Sequence, residues 1–187
     1  MIIRKTGTCT LINLAQQIDY PGDNSIKEED VISSTVPNSY RKIIFVRNPY
    51  SRIFSSYRHY SNETPFKPHV ILVHRYKDFN EFIKDCVYSM SIYDIHFYTF
   101  KYYFEVEKGD IEIYRWEEID NVLRNILKIK NIPHINPPKD DRVYKNMYNL
   151  KSKVIISKVY QWDLKKLNYR FNGYGPLPSI SEVRKSY

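Results

Sequence analysis

Two short runs bring together residue types that hold anions. Lys5-Thr6-Gly7-Thr8-Cys9-Thr10 combines a cation, three hydroxyls and a glycine ahead of an amphipathic segment through Leu11, Ile12, Leu14, Ala15 and Ile18. Gly7 lets the backbone approach a ligand closely, and free N–H groups at the start of a helix cradle negative charge. The second run, Arg47-Asn48-Pro49 followed by Ser55 and Tyr57, sets an arginine fork two helical turns ahead of a serine hydroxyl. That pairing suits a phosphate. The glycine–lysine loop that binds ATP phosphates needs its lysine just before Ser or Thr and after a longer glycine loop. Here the lysine precedes the glycine, so an ordinary ATP loop is not supported.

The elements that must position these residues are strand-to-helix junctions. Ile43, Ile44, Phe45 and Val46 are a short apolar, mostly β-branched run of the kind covered on both faces. Pro49 stops strand pairing and suits the first turn of a helix. Arg47 is thereby delivered to the carboxyl edge of a sheet, where open α/β folds bind ligands. Met1-Ile2-Ile3 similarly feeds the Lys5 loop. Further along, the pattern predicts helices over 49–60, 78–90, 117–130 and 148–167, with strands at 42–47 and 110–115. The last helix would place Ile155, Val159 and Trp162 on one face, with Ile156, Tyr160 and Leu164 beside it. Residues 21–40 and 61–68 are irregular connections, and Asn131 to Pro138 is a stiff linker. Alternating β and α argues for a parallel sheet with covering helices, as one domain over 1–171. The tail 172–187, rich in Gly and Pro, is expected to be extended.

The two runs together resemble the sulfotransferases that use 3′-phosphoadenosine 5′-phosphosulfate (PAPS). In that family Lys-Thr-Gly-Thr-Thr holds the 5′-phosphosulfate, and a later Arg-Asn/Asp-Pro segment ending in Ser-x-Tyr holds the 3′-phosphate. Weaker matches extend the resemblance, nearest to the membrane-type carbohydrate enzymes: Asp78-Phe79-Asn80-Glu81-Phe82-Ile83, Tyr93-Asp94-Ile95-His96-Phe97, Ile111 to Ile119, and Val159 through Tyr169. The chain departs from the pattern at Arg4, where proline is frequent, at Cys9, where a hydroxyl residue is usual, and at Asn48, where aspartate is commoner. The fold so implied is a three-layer α/β/α sandwich around a central parallel sheet, akin to the P-loop nucleotide kinases.

The resemblance also implies roles. Lys5 would neutralise charge on the oxygen bridging phosphate and sulfate. Thr6, Gly7, Thr8, Cys9 and Thr10 would cradle the 5′-phosphate, and Arg47 with Ser55 would read the 3′-phosphate. His96 falls where relatives carry a functional histidine, and a neutral imidazole is available at pH 7 to take an acceptor proton. Asp94, Glu63 and His59 are the reserve bases. The bland reading of His96 is a structural histidine beside Asp94. Arg52 also recurs in the family pattern but reads equally as a structural helix arginine, so it is left out of the site. The implied activity is in-line sulfuryl transfer from PAPS, leaving PAP, to a hydroxyl or amine of an acceptor, a carbohydrate first. No metal is required by this scheme. The alternative is a non-catalytic nucleotide- or polyanion-binding protein on the same fold.

Composition agrees with this reading. The 187 residues carry a formal charge of +8, which favours anionic ligands. Lys139, Arg142 and Lys145 read as a solvated basic face. No zinc-finger or RNA-binding signature accompanies the charge, so no nucleic-acid partner is expected. Most of the 18 tyrosines are expected to bury a ring while wetting a hydroxyl. Cys9 and Cys86 have neither disulfide-framework nor metal-ligand spacing. With no signal peptide and no apolar run of about 20 residues to span a bilayer, a soluble cytoplasmic protein is expected.

Overall fold

The computed structural model describes residues 42–62, 64, 68–94, 96–106, 110–126 and 143–185. The expected first strand, the Lys5–Thr10 loop and its helix, Glu63, and the linker with Lys139 and Arg142 lie outside the described residues. The chain contacts define two compact units.

The first unit contains the parallel sheet. Strand β1 (Lys42–Val46) pairs in parallel with a strand at Ile111–Arg115, with Ile44 opposite Ile113 and Val46 opposite Arg115. Ile44, Phe45 and Val46 are all buried, as the uninterrupted apolar run requires of a strand covered on both sides. Phe45 packs edge-on to Trp116 and joins Ile119, Val122 and Leu123 in a small core. The expected helix after the second strand is present as an irregular coil. A 3₁₀ turn at Trp116–Glu118 leads into an α turn at Ile119–Asn121 and a π turn at Val122–Ile126. The segment 172–187, expected to be extended, contains a helical turn at Ile180–Arg184. There Ser179 and Glu182 form a capping box, Val183 is buried, and the turn lies against the second strand.

The second unit is helical. Helix α1 (Pro49–Asn62) begins where Asn48 Oδ1 accepts the Tyr50 N–H at 3.1 Å, and Pro49 occupies the first turn. Its buried stripe, Tyr50, Ile53, Phe54, Tyr57 and Tyr60, follows helical spacing. Helix α2 (Pro68–His74) precedes α3 (Phe79–Tyr93), which Asp78 caps by accepting from the N–H groups of Asn80 and Glu81. The facing stripe of α3, Phe79, Phe82, Ile83, Cys86, Val87 and Met90, completes the main core. Rings meet across it: Phe54 and Phe79 lie 5.2 Å apart, and Tyr57 and Phe82 also 5.2 Å. Helix α4 (Phe100–Val106) follows the turn that carries His96.

The predicted helix over 148–167 is two helices. Taking the α turn at Ile119–Asn121 as α5 and the short helix at Val143–Met147 as α6, these are α7 (Leu150–Val159) and α8 (Gln161–Lys166). They meet at Tyr160, whose backbone leaves helical geometry (φ −105°, ψ 27°). The deepest residues here are Ser152, Ile156, Tyr160, Asp163 and Leu167, while Ile155, Val159 and Leu164 pack at the margin. Trp162 lies on Phe104 at 5.8 Å. A hairpin of Tyr169–Arg170 with Gly173–Tyr174 follows, entered through Asn168 in the left-handed region (φ 53°), which asparagine tolerates.

The tyrosines depart from expectation in one respect. Many of the described rings are buried, although Tyr88, Tyr93, Tyr102 and Tyr174 are exposed, and several buried ones donate their hydroxyls to backbone carbonyls and not to solvent. Tyr57 donates to the carbonyl of Tyr76 (2.9 Å), Tyr144 to Phe171 (2.7 Å), Tyr148 to Tyr50 (2.9 Å) and Tyr160 to Phe97 (2.6 Å). Most of these carbonyls belong to turns or helix ends that lack an intrahelical partner, and a buried carbonyl needs one. Burial holds the Tyr148 and Tyr160 phenols well above their ordinary pKa, so they stay donors.

Candidate functional site

The His96 turn is built from both sides of the second unit. Helix α3 ends at Asp94, whose N–H still reaches the Met90 carbonyl (2.9 Å). The Asp94 carboxylate then turns the chain by accepting the His96 N–H at 2.8 Å, a local aspartate turn. The same oxygen lies 2.9 Å from His96 Nδ1. From α1, the Tyr60 hydroxyl contacts Asp94 Oδ2 (3.1 Å) and Oδ1 (3.3 Å), and makes a short contact with His96 Nδ1. Ser56 Oγ lies 3.4 Å from the His96 carbonyl, and Tyr160 holds the next carbonyl. Asp94 and His96 are both buried. His59, another of the reserve bases, is exposed on α1 with its ring 6.4 Å from that of His96. The ring contacts described above fall on Nδ1.

Below this turn lies a pair that the sequence does not reveal. Arg52 and Asp163 are both fully buried, with Nη2 and Oδ2 3.6 Å apart. The guanidinium lies 4.7 Å over the Phe100 ring, and its nitrogens have no hydrogen-bond partner. Asp163 Oδ1 accepts the Phe100 N–H at 2.9 Å, capping α4 from a distant part of the chain. Burial pushes the Asp163 carboxyl from 3.8 up to about 6, against the opposing pull of Arg52 and the Phe100 and Lys101 amides. Arg52 therefore lies in the core of this unit, between Asp163 and the Phe100 ring.

The second anion-holding run, Arg47 through Tyr57, lies wholly within the described residues. Arg47 follows β1 at the carboxyl end of the parallel pair and is half-buried. Asn48 is committed to structure: besides capping α1, its Nδ2 donates to the Arg170 carbonyl at 2.8 Å. Ser55, on α1, is half-buried. Its neighbours Ser56 and Ser61 donate to carbonyls one turn back, at 3.1 and 2.8 Å. No such bond ties the Ser55 hydroxyl among the described residues. Tyr57, the last residue of the run, is spent on the core and on the Tyr76 carbonyl. Lys145 donates to the Asn172 carbonyl at 3.4 Å, a surface contact. Among the described residues no group of three His, Cys, Asp or Glu side chains could hold a metal ion, and no helix is long and apolar enough to cross a membrane.

The described residues thus give a small parallel sheet in one unit, with an arginine at the strand end, and a buried Asp–His pair in the other. The sequence comparison gives the class: a model described as Sulfotransferase family matches residues 12–170, so the chain belongs to the sulfotransferase family. The matched span takes in the Arg47–Tyr57 run, the His96 turn and the α7–α8 segment, and begins after the Lys5–Thr10 loop. No curated protein and no solved structure matches the chain.

Proposed function

We propose that the protein moves a sulfuryl group from PAPS to a hydroxyl or amine of an acceptor, a carbohydrate being the first class to test. The scaffold for this reading is the three-layer α/β/α sandwich of the nucleotide kinases. The observation that carries it, beyond family membership, is the buried Asp94–His96 pair at 2.9 Å. Asp94 accepts the Nδ1 proton and stabilises the imidazolium that forms when Nε2 takes the acceptor proton. Sulfuryl transfer, like phosphoryl transfer, calls for positioning and charge stabilisation more than covalent catalysis.

The chain's own residues then divide the work. Lys5 neutralises the charge that develops on the leaving phosphate oxygen as the bond to sulfur breaks. Thr6, Gly7, Thr8, Cys9 and Thr10 cradle the 5′-phosphate. Arg47 and Ser55 bind the 3′-phosphate, a role that fits a serine hydroxyl left without a bond to the described residues. This assignment distinguishes PAPS from adenylates lacking that phosphate.

Calorimetric titration with PAP, using AMP and ATP as controls, tests the donor site. The expected result is low-micromolar PAP binding that is lost in Arg47→Ala, with little response to AMP. Equal affinity for PAP, AMP and ATP would overturn the proposal and favour a general polyanion binder.

A further inference from the structure

We infer that the outer face of α7 docks the protein on the surface of an anionic lipid bilayer. The inference concerns the second unit alone and stands apart from the transfer reading, since binding a bilayer calls on neither PAPS nor His96. Two observations carry it: aliphatic side chains left in water, and charge of one sign around them. Leu150 is 77 % exposed, and Val154, one turn further along α7, is 45 % exposed. On the preceding helix α6, Val143 and Met147 are likewise exposed.

Helix geometry sets these groups side by side. The inward side of α7 is filled by Ser152 and Ile156, which are buried, with Ile155 and Val159 at the core margin. Leu150 and Val154 therefore occupy the middle of the opposite side. Lys151 and Lys158, two turns apart, are exposed along one flank. Lys153 lies on the other flank, with Nζ 4.1 Å from the centre of the Phe171 ring. From Val143 to Arg170 the chain carries seven lysines and arginines and a single acid, Asp163. That acid is fully buried beside Arg52, so no carboxylate of this segment reaches the surface. The exposed acids Glu81 and Asp85 belong to the neighbouring helix α3, where Lys84 lies 3.6 Å from Asp85.

A lysine face alone is ordinarily just solvated, and scattered exposed aliphatics are ordinary too. Set on one face, they match an interfacial helix. Its apolar side chains enter the boundary between headgroups and acyl chains, while the flanking lysines reach back to lipid phosphates. An anionic polysaccharide would meet the lysines but gain nothing from Leu150 and Val154, whose burial needs an apolar phase. A second copy of this chain would bring the same positive charge to the contact and be repelled. An anionic bilayer satisfies both sets, with the helix lying on the membrane and not crossing it.

The test is cosedimentation of the full chain with vesicles of phosphatidylcholine alone or with about one-third phosphatidylserine, at about 0.1 M salt. Heparin retention and the oligomeric state are measured beside it. The wild type should bind the anionic vesicles, bind the neutral ones far less, and be released by high salt. Lys151→Gln with Lys158→Gln should weaken vesicle binding about 25-fold, or about fivefold per charge. Leu150→Gln with Val154→Gln should weaken it about 10- to 100-fold while heparin retention stays unchanged. Absence of binding to anionic vesicles, equal binding to both vesicle types, or full binding by the Leu150 and Val154 variant overturns the inference. Firm heparin retention without vesicle binding would show a polyanion-binding face instead. A wild-type dimer that the Leu150 and Val154 variant dissolves, without vesicle binding, would show a contact between copies, and either result overturns the membrane assignment. Should that variant fail to fold, undiminished vesicle binding by the lysine variant has the same consequence. The transfer reading fails separately, on PAP titration.

Discussion

Replacing Arg52 with methionine should make the stability of this protein fall with pH over a range where the wild type is level. The wild-type Asp163 carboxyl is raised from 3.8 to about 6 by burial. The folded chain therefore holds that proton more tightly than the unfolded chain. Asp163 contributes its full stability below pH about 4, and about 3 kcal/mol of it is lost as pH rises to about 6. Above that pH the carboxylate is ionised in both states and the contribution is flat. Arg52, 3.6 Å away, is the charge that keeps the carboxyl from rising further. Methionine fills a similar volume over Phe100 but carries no charge, so the carboxyl of the variant titrates above 6.

The difference between the two proteins should then be constant below pH about 6 and grow above it, by at most about 1.4 kcal/mol per pH unit, until the variant's carboxyl ionises. The constant part is small, because a guanidinium with no hydrogen-bond partner gives up its desolvation cost when it is removed. Urea unfolding at pH 5, 6, 7 and 8 measures this, followed by far-UV circular dichroism and by the fluorescence of Trp162, beside Asp163, with Trp116→Phe removing the signal of the other unit. A difference that stays constant from pH 5 to pH 8 would refute the reasoning, since Arg52 would then have no hold on the ionisation of Asp163.

Three further outcomes are expected. Ser55→Ala should weaken PAP binding about 10-fold, as one lost hydrogen bond to a charged group, and shift urea stability by less than about 0.5 kcal/mol; calorimetry and unfolding read the two separately. Tyr160→Phe should cost about 1–3 kcal/mol, because the Phe97 carbonyl loses its 2.6 Å donor in a buried site; an unchanged unfolding midpoint would count against that bond. Gly175→Ala should cost about 1–3 kcal/mol, since an added Cβ would clash with the Asn168 side-chain amide, and a variant of wild-type stability would show that the Asn168 amide yields freely.

What could be read from the sequence was mostly local. The apolar run before Arg47, the Asn-Pro start of α1 and the Asp78 cap of α3 each act within a few residues, so their elements follow from neighbours alone. Asp94 and His96 could be paired on paper because they are two positions apart. Tyr60 could not, since it joins them across 34 and 36 residues and carries no motif. The Arg52–Asp163 pair was hidden for the same reason. The break at Tyr160 has no Pro or Gly to announce it, and the apolar spacing runs through it undisturbed. The turn at Ile180–Arg184, by contrast, was announced by Ser179-x-x-Glu182 within a Gly- and Pro-rich context that pointed to an extended chain.

The bonds from tyrosine hydroxyls to carbonyls have a consequence for how this chain avoids wrong structures. A leucine core can slide or repack and lose only contact area. Each phenol here must end opposite one carbonyl, a full ring length from its own backbone, or bury an unmet donor. A shifted packing of α1 against α7 would strand the hydroxyls of Tyr50 and Tyr148 together, since they bond the carbonyls of Lys153 (3.3 Å) and Tyr50 (2.9 Å). Near-native alternatives are thereby separated from the native packing by several simultaneous penalties, which steepens the funnel near its base. The abundance of tyrosine acts as an error check on packing, and it would make a loosened, collapsed form of the helical unit short-lived.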